Sequence, residues 1–385
     1  MSRLGCAALL GLVVGLSACD TWAADFAPAL RSGLIRATEA ILNRSLEAAE
    51  VECQAISALT DGQGPGSFCR AMVTMARAED RDDPTADLDR FREQIGEAIA
   101  AIGQLEQSHP RQADVKLLLG LAYGSKALAD GERRNYLEAY RALREAHRRF
   151  QEALQLQPSL VDAYYGIGLY EYGLGHVPSF LRPLAGMVLP PGDPAAGLKH
   201  LERVAEAGDA LRATAQVLLL HLYTGPEKRN ADALRLGPEL LRRYPGNSEL
   251  YFATAYAASE LGELAEALKI ARRVRQQIAD GAPGFPPELA ARQLQLLGKI
   301  SMDRGEHATA LTFFRQAIQS STPPRFRWVT AWAWTRSGMI HDLLGDRDEA
   351  VRCYRQAVGV QAESLAAETA RRYLDTPFAG RPSAG

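Results

Sequence analysis

The 385-residue sequence is short of nearly every ingredient of a catalytic centre. Its seven histidines are scattered, and it holds no His-Glu-x-x-His pair, no glycine-rich phosphate loop and no Gly-x-Ser-x-Gly elbow. It therefore reads as non-enzymatic, with no metal and no cofactor implied. An excess of one charge is missing as well: 44 Lys and Arg face 46 Asp and Glu for a formal charge of -2, and the pI is about 6.4. That balance leaves no electrostatic footprint for nucleic acid. The apolar stretch Ala7 to Leu16 is too short to span a bilayer. The five cysteines match no zinc or haem spacing. Alternation of the kind that marks half-buried strands is absent too, so the chain reads as all-α.

What is present begins with an export signal over residues 1–18. Arg3 supplies a positive start, Ala7 to Leu16 an apolar core, and small residues follow. Leu16-Ser17-Ala18-Cys19 resembles the bacterial lipobox. The resemblance implies cleavage before Cys19, diacylglycerol on its thiol, and a lipidated N-terminus and linker over 19–29. Several acyl chains, each methylene contributing about 0.8 kcal/mol, hold a soluble body on a membrane far more firmly than one. The other reading is ordinary cleavage after Ala23 or Ala24. The expected location is the bacterial cell envelope, lipid-anchored and facing the periplasm, with the choice of inner or outer membrane open. In that oxidising compartment Cys53 and Cys69 flank "ALTDGQGPGSF", a turn between two helical stretches. They are either a bridge, for which a loop of this length gives about 3 kcal/mol, or two separate buried thiols. Cys353 reads as a lone core or groove thiol.

Two stretches of the C-terminal part say the same thing twice. Aligning Gly298 with Gly338 also aligns Leu294 with Trp334, Gly305 with Gly345, Ala310 with Ala350, Phe314 with Tyr354 and Ala317 with Ala357. Small residues let two helices approach, an aromatic fills the space beside them, and a glycine makes the turn. Weaker copies hold Tyr251, Ala255, Gly262, Ala267 and Ala271, then Leu220, His221 and Ala233. Further upstream, Gly120 and Tyr123 open a unit whose second half arrives late, at Ala146, Phe150 and Ala153, and another unit begins at Tyr164 and Gly168. Phe91, Ile95, Ile99, Ile102 and Leu105 mark a further amphipathic helix.

These offsets resemble the tetratricopeptide repeat, a helical hairpin of about 34 residues. The resemblance implies a right-handed superhelical solenoid in which stacking supplies the core that one hairpin lacks. Divergent hairpins are expected over 30–110, the array over 111–374 with insertions near 125–138 and 176–191, and a disordered tail over 375–385. Its concave groove would bind peptide or protein segments of the envelope. The family's groove positions fall on Tyr165, Tyr172, Phe252, Tyr256, Arg292, Gln295, Lys299, Trp332, Met339 and Asp342. At helical spacing the same aromatics also serve packing. The family's terminal-carboxylate clamp is not reproduced at Gln295 and Lys299.

Two further segments have double readings. "RFRWVTAWAW", Arg325 to Trp334, is either a sticky end of the groove or a helix with Trp328 and Trp334 buried. The Pro-rich "VPSFLRPLAGMVLPP", Val177 to Pro191, is a plug or lid, or else a membrane or partner contact. The expected function is an envelope lipoprotein acting as an interaction scaffold or assembly factor, its partners envelope proteins and the membrane through its lipid. The alternative is a binding module for a small molecule, glycan or lipid.

Overall fold

A computed structural model describes residues 28–176, 192–320 and 322–380. The leader, Cys19 and the Val177–Pro191 insertion lie outside the described residues. Among the described residues there are seventeen α-helices, two short 3-10 turns and no strand. The chain divides into two compact units between Leu219 and Leu220, within the ninth helix.

The N-terminal unit contains α1 (Pro28–Leu42), α2 (Leu46–Ser57), α3 (Gln63–Ala78), α4 (Thr85–Ser108), α5 (Ala113–Glu132), α6 (Tyr136–Leu156), α7 (Ala163–Gly175), α8 (Pro194–Ala207) and the start of α9 (Arg212–Thr224). Neighbouring helices pack as antiparallel hairpins, α3 on α4, α5 on α6 and α7 on α8. Packing comes from one stripe per helix. On α6 the buried residues are Ala142, Ala146, Phe150 and Ala153, spaced to share one face. The Phe150 ring lies so close to the backbone of Gly120 and Gly166 that a Cβ there would sit 2.6 and 2.0 Å from it. The extra residues near 125–138 are helical: they lengthen α5 and α6, whose connection is only the short turn at Arg133–Asn135. The late second half of that repeat thus follows from longer helices. Cys53 on α2 and Cys69 on α3 are joined in a disulfide, with Cα atoms 5.4 Å apart.

The C-terminal unit continues with α10 (Asn230–Arg243), α11 (Ser248–Glu260), α12 (Leu264–Ala279), α13 (Ala290–Asp303), α14 (His307–Gln319), α15 (Arg327–Leu343), α16 (Arg347–Val360) and α17 (Leu365–Asp375). Here the doubled stretch becomes two hairpins closed by the same contacts. A Cβ on Gly298 would lie 2.5 Å from Phe314, and one on Gly338 would lie 2.6 Å from Tyr354. Ala310, Ala317, Ala350 and Ala357 are all fully buried. The turns use left-handed glycines, Gly305 at φ 76° and Gly345 at φ 78°. In the first, Glu306 N donates to Ser301 O at 2.9 Å and Gly305 N to Met302 O at 2.9 Å. In the second, Asp346 N donates to His341 O at 2.9 Å and Gly345 N to Asp342 O at 3.0 Å. This is the Schellman closure, which satisfies the last carbonyls of the helix and reverses the chain in three residues.

The end of the chain differs from the expected disordered tail. Phe378 is buried, its ring edge-on to Tyr373 with centroids 5.2 Å apart, and its N–H donates to Asp342 at 2.8 Å. One aromatic and one backbone bond to a buried carboxylate outweigh the tail's turn-forming composition over 376–380. Residues 381–385 lie outside the description.

Candidate functional site

The face shared by α11, α13 and α15 gathers most of the expected contact residues, and all of them belong to the C-terminal unit. Arg292 on α13 sits between two rings, 4.0 Å from the centre of Phe252 and 5.2 Å from that of Trp328. Its guanidinium forms a two-pronged pair with Glu249 on α11, the longer contact 2.9 Å. A planar fork held on both oxygens of a carboxylate and against a ring is oriented as well as charged. Nearby, burial holds the His221 imidazole below its ordinary pKa, opposed by Glu249 and assisted by Arg292. Two turns along α13, the ammonium of Lys299 lies 5.0 Å over Tyr256. On α15, Arg336 covers Trp332 at 4.6 Å. Cations and aromatics therefore alternate along this face, each cation over a ring face where the quadrupole attracts it.

Several expected contacts turn out to be structural. Lys299 is 2% exposed. It bonds Ser259 at 3.0 Å and pairs with Asp303 at 2.6 Å and Glu260 at 2.8 Å. Burial lowers its pKa, with Asp303 and Glu260 pulling the other way. An ammonium committed to two carboxylates has nothing left for a terminal carboxylate, which is the physical reason the family's clamp is not built here. The Asp342 carboxylate is likewise interior: it accepts from Tyr354 Oη at 2.8 Å, Arg347 Nη1 at 3.0 Å and Phe378 N at 2.8 Å. It fastens the last hairpin to the tail and is not a groove contact. Tyr165 is fully buried in α7, and burial raises its hydroxyl pKa. Its neighbour Tyr164 is the partly exposed one, stacked on His200 at 5.0 Å under Arg203. Tyr172 is mostly buried and tilts against His176 at 4.4 Å. Phe252 is 5% exposed and reaches the face chiefly through Arg292.

The partly exposed residues are Tyr256, Arg292, Trp328, Trp332, Arg336 and Met339. Trp328 is thus not a buried core ring, and Trp334 is half-buried against the cluster around Ala350 and Tyr354. Sequence reading missed Arg336 and Glu249. The first was findable one turn after Trp332, whereas the second depends on how two repeats stack. Between Arg292 and Lys299, Gln295 is 6% exposed and its Nε2 has no hydrogen-bond partner. A buried amide donor left unmade costs about 1–3 kcal/mol. The face as a whole offers ring surface, two oriented guanidiniums and one unsatisfied donor, with its cations largely offset by Glu249, Glu260 and Asp303.

Residues 333–364 match the family model described as Tetratricopeptide repeat. Yeast Tom70 has a similar chain course at 12% identity, covering 90% of this chain and 80% of that one with a TM-score of 0.41. A human IFIT1 dimer with m7Gppp-AAAA is 12% identical, covering 92% and 81% with a TM-score of 0.43. YrrB, described as a TPR protein with an unusual peptide-binding site, is 14% identical and covers 71% and 98% with a TM-score of 0.28. Likeness at this level carries nothing about what this chain binds. Among curated proteins none matches it. The matched segment runs from the middle of α15 through α16 to the threshold of α17, the hairpin closed by Gly338 on Tyr354; that hairpin is a tetratricopeptide repeat.

Proposed function

We propose that the protein is a non-enzymatic lipoprotein of the bacterial envelope, anchored through Cys19, that gathers peptide or protein segments on the α11–α13–α15 face. A tetratricopeptide fold is a protein-interaction scaffold in general. The observation that carries the specific reading is the buried, unpartnered Nε2 of Gln295 on α13, the helix whose Arg292 and Lys299 reach the partly exposed rings of Trp328 and Tyr256. An extended segment brings what this face lacks, backbone carbonyls for the donor and apolar side chains for the rings. Aromatic and Arg side chains dominate interface energies because they bury large area at low entropic cost. The near-balance of charge on the face favours uncharged or mixed segments over strongly acidic ones.

The test is cross-linked affinity capture of envelope proteins on the full chain, beside Trp332→Ala and Tyr256→Ala. A small reproducible set that both substitutions thin by tenfold or more is expected; an identical set with all three chains, or an empty one, ends the proposal. Fractionation beside Cys19→Ala tests the anchor, and a chain that leaves the membrane only in the variant is expected. The second reading, a glycan, lipid or small molecule on the rings of this face, rests on the partly exposed Trp328 and Trp332. Reproducible thermal shifts with such ligands, abolished by Trp332→Ala, would favour it over protein segments.

A further inference from the structure

At the rim of the α15–α16 hairpin, away from the aromatic face, three side chains of different ligand chemistry meet. Glu349 and Cys353 lie one turn apart on α16 and so share a face. The Gly345 turn folds α15 back so that His341 joins them. One ligand atom from each lies within 4.8 Å of the other two, and this is the single such group among the described residues. The Cys353 sulfur is 4.0 Å from Glu349 Oε1. Cys353 is 2% exposed, while His341 and Glu349 are partly open to solvent. The place is therefore dry on one side and reachable on the other.

We propose that His341, Glu349 and Cys353 form a binding site for a divalent ion of the zinc class, its fourth position open to water. A sulfur at about 2.3 Å and nitrogen or oxygen at about 2.0–2.2 Å from such an ion stand roughly 3.5 Å from one another in a tetrahedron. The three atoms need close by only about 1 Å to reach that spacing, a matter of side-chain rotation. On binding, the Cys353 S–H bond breaks, its electron pair forms the sulfur–metal bond, and the proton leaves to solvent. One thiolate and one carboxylate then neutralise the two positive charges. Burial and the Glu349 carboxylate push the Cys353 thiol up to about 12 while no ion is bound, so the ion itself must displace the proton; two neighbours favour the site. The Asp346 carboxylate lies 3.7 Å from His341 Nδ1, placed to orient the ring when the other nitrogen ligates, as carboxylates do behind metal-bound histidines. Arg352, which pairs with the second oxygen of Glu349, is 69% exposed and can withdraw into water.

The test uses the purified full chain, stripped with chelator and titrated with Co2+. A four-coordinate cobalt thiolate announces itself by sulfur-to-metal charge transfer and strong visible absorption. One equivalent is expected to give both, and Zn2+ to displace them. Cys353→Ser should lose the charge-transfer band, and His341→Ala should weaken Co2+ binding at least tenfold, both with wild-type circular dichroism. Should either variant unfold, Glu349→Gln, at a partly exposed position, supplies the same comparison. Absence of the charge-transfer band in the wild-type chain overturns the proposal. So does an unchanged band in Cys353→Ser, which would place the ion on another thiol.

Discussion

Lys299 shows how one side chain can be misassigned by register alone. Its position is one at which the family meets ligands, yet its ammonium is enclosed by Ser259, Glu260 and Asp303. Removing a buried cation leaves its carboxylates uncompensated, which costs about 3 kcal/mol. Lys299→Met should therefore lower the unfolding free energy of the C-terminal unit, read from denaturant melts, by that amount while leaving capture by the aromatic face nearly intact. Equal loss of capture and stability would return Lys299 to the ligand surface. Periodicity puts Tyr165, Lys299 and Asp342 on helices that face a groove. Depth within that face depends in part on distant partners that no local pattern encodes, Ser259 some forty residues before Lys299 and Phe378 thirty-six after Asp342. The aromatic residues divide in the same way: Tyr256 and Trp332 are partly open, whereas Tyr165, Tyr172 and Phe252 are buried.

At the scale of the element, the hairpin was legible because its constraint is local and repeated. A glycine facing an aromatic, two alanines and a left-handed turn glycine recur at fixed offsets, and each answers one steric demand. Gly338→Ala would place a methyl 2.6 Å from the Tyr354 ring and should cost about 1–3 kcal/mol through forced displacement of that ring. Gly359, also on α16, has nothing within 4 Å of its added Cβ, so Gly359→Ala should instead stabilise by about 0.5–1 kcal/mol. Opposite signs in paired thermal melts would confirm that packing at the crossing, rather than helix propensity, makes the conserved-looking pattern within this one chain. The long α5–α6 pair was less legible. Its extra turns are as helical as the rest, so the repeat offset slipped without any turn signal to mark a loop.

The whole molecule responds to acid unevenly. In the N-terminal unit, burial raises Glu106, but Lys116 and Arg149 outweigh it and hold its carboxyl below the usual range. Glu145 is raised by burial and lowered more by Arg148 and Arg149. For a carboxyl whose folded pKa lies below its unfolded value, the folded state binds fewer protons. Its stabilisation is present above the unfolded value and is lost as pH falls through the folded one. Melts followed by far-ultraviolet circular dichroism should fall in temperature as pH drops below the ordinary carboxylate range, and Glu106→Gln should flatten that slope. A slope unchanged in the variant would remove the α4–α5–α6 clasp as its cause. Trp328, Trp332 and Trp334 all lie on α15, so fluorescence weights the C-terminal unit and can separate the two responses.

The fastening of Phe378 to Asp342 and Tyr373 has a consequence for growth. A stack of like hairpins has no intrinsic length: each exposed end is a template for the next layer, including one from another molecule. α17 buries Ala366, Ala367 and Ala370 inward and turns Glu368, Arg371, Arg372 and Asp375 outward. The folded-back tail then occupies the remaining apolar crevice. Together they cover this edge of the C-terminal unit, and trimming residues 376–380 should uncover Tyr373 and promote association of one chain's α17 edge with another's.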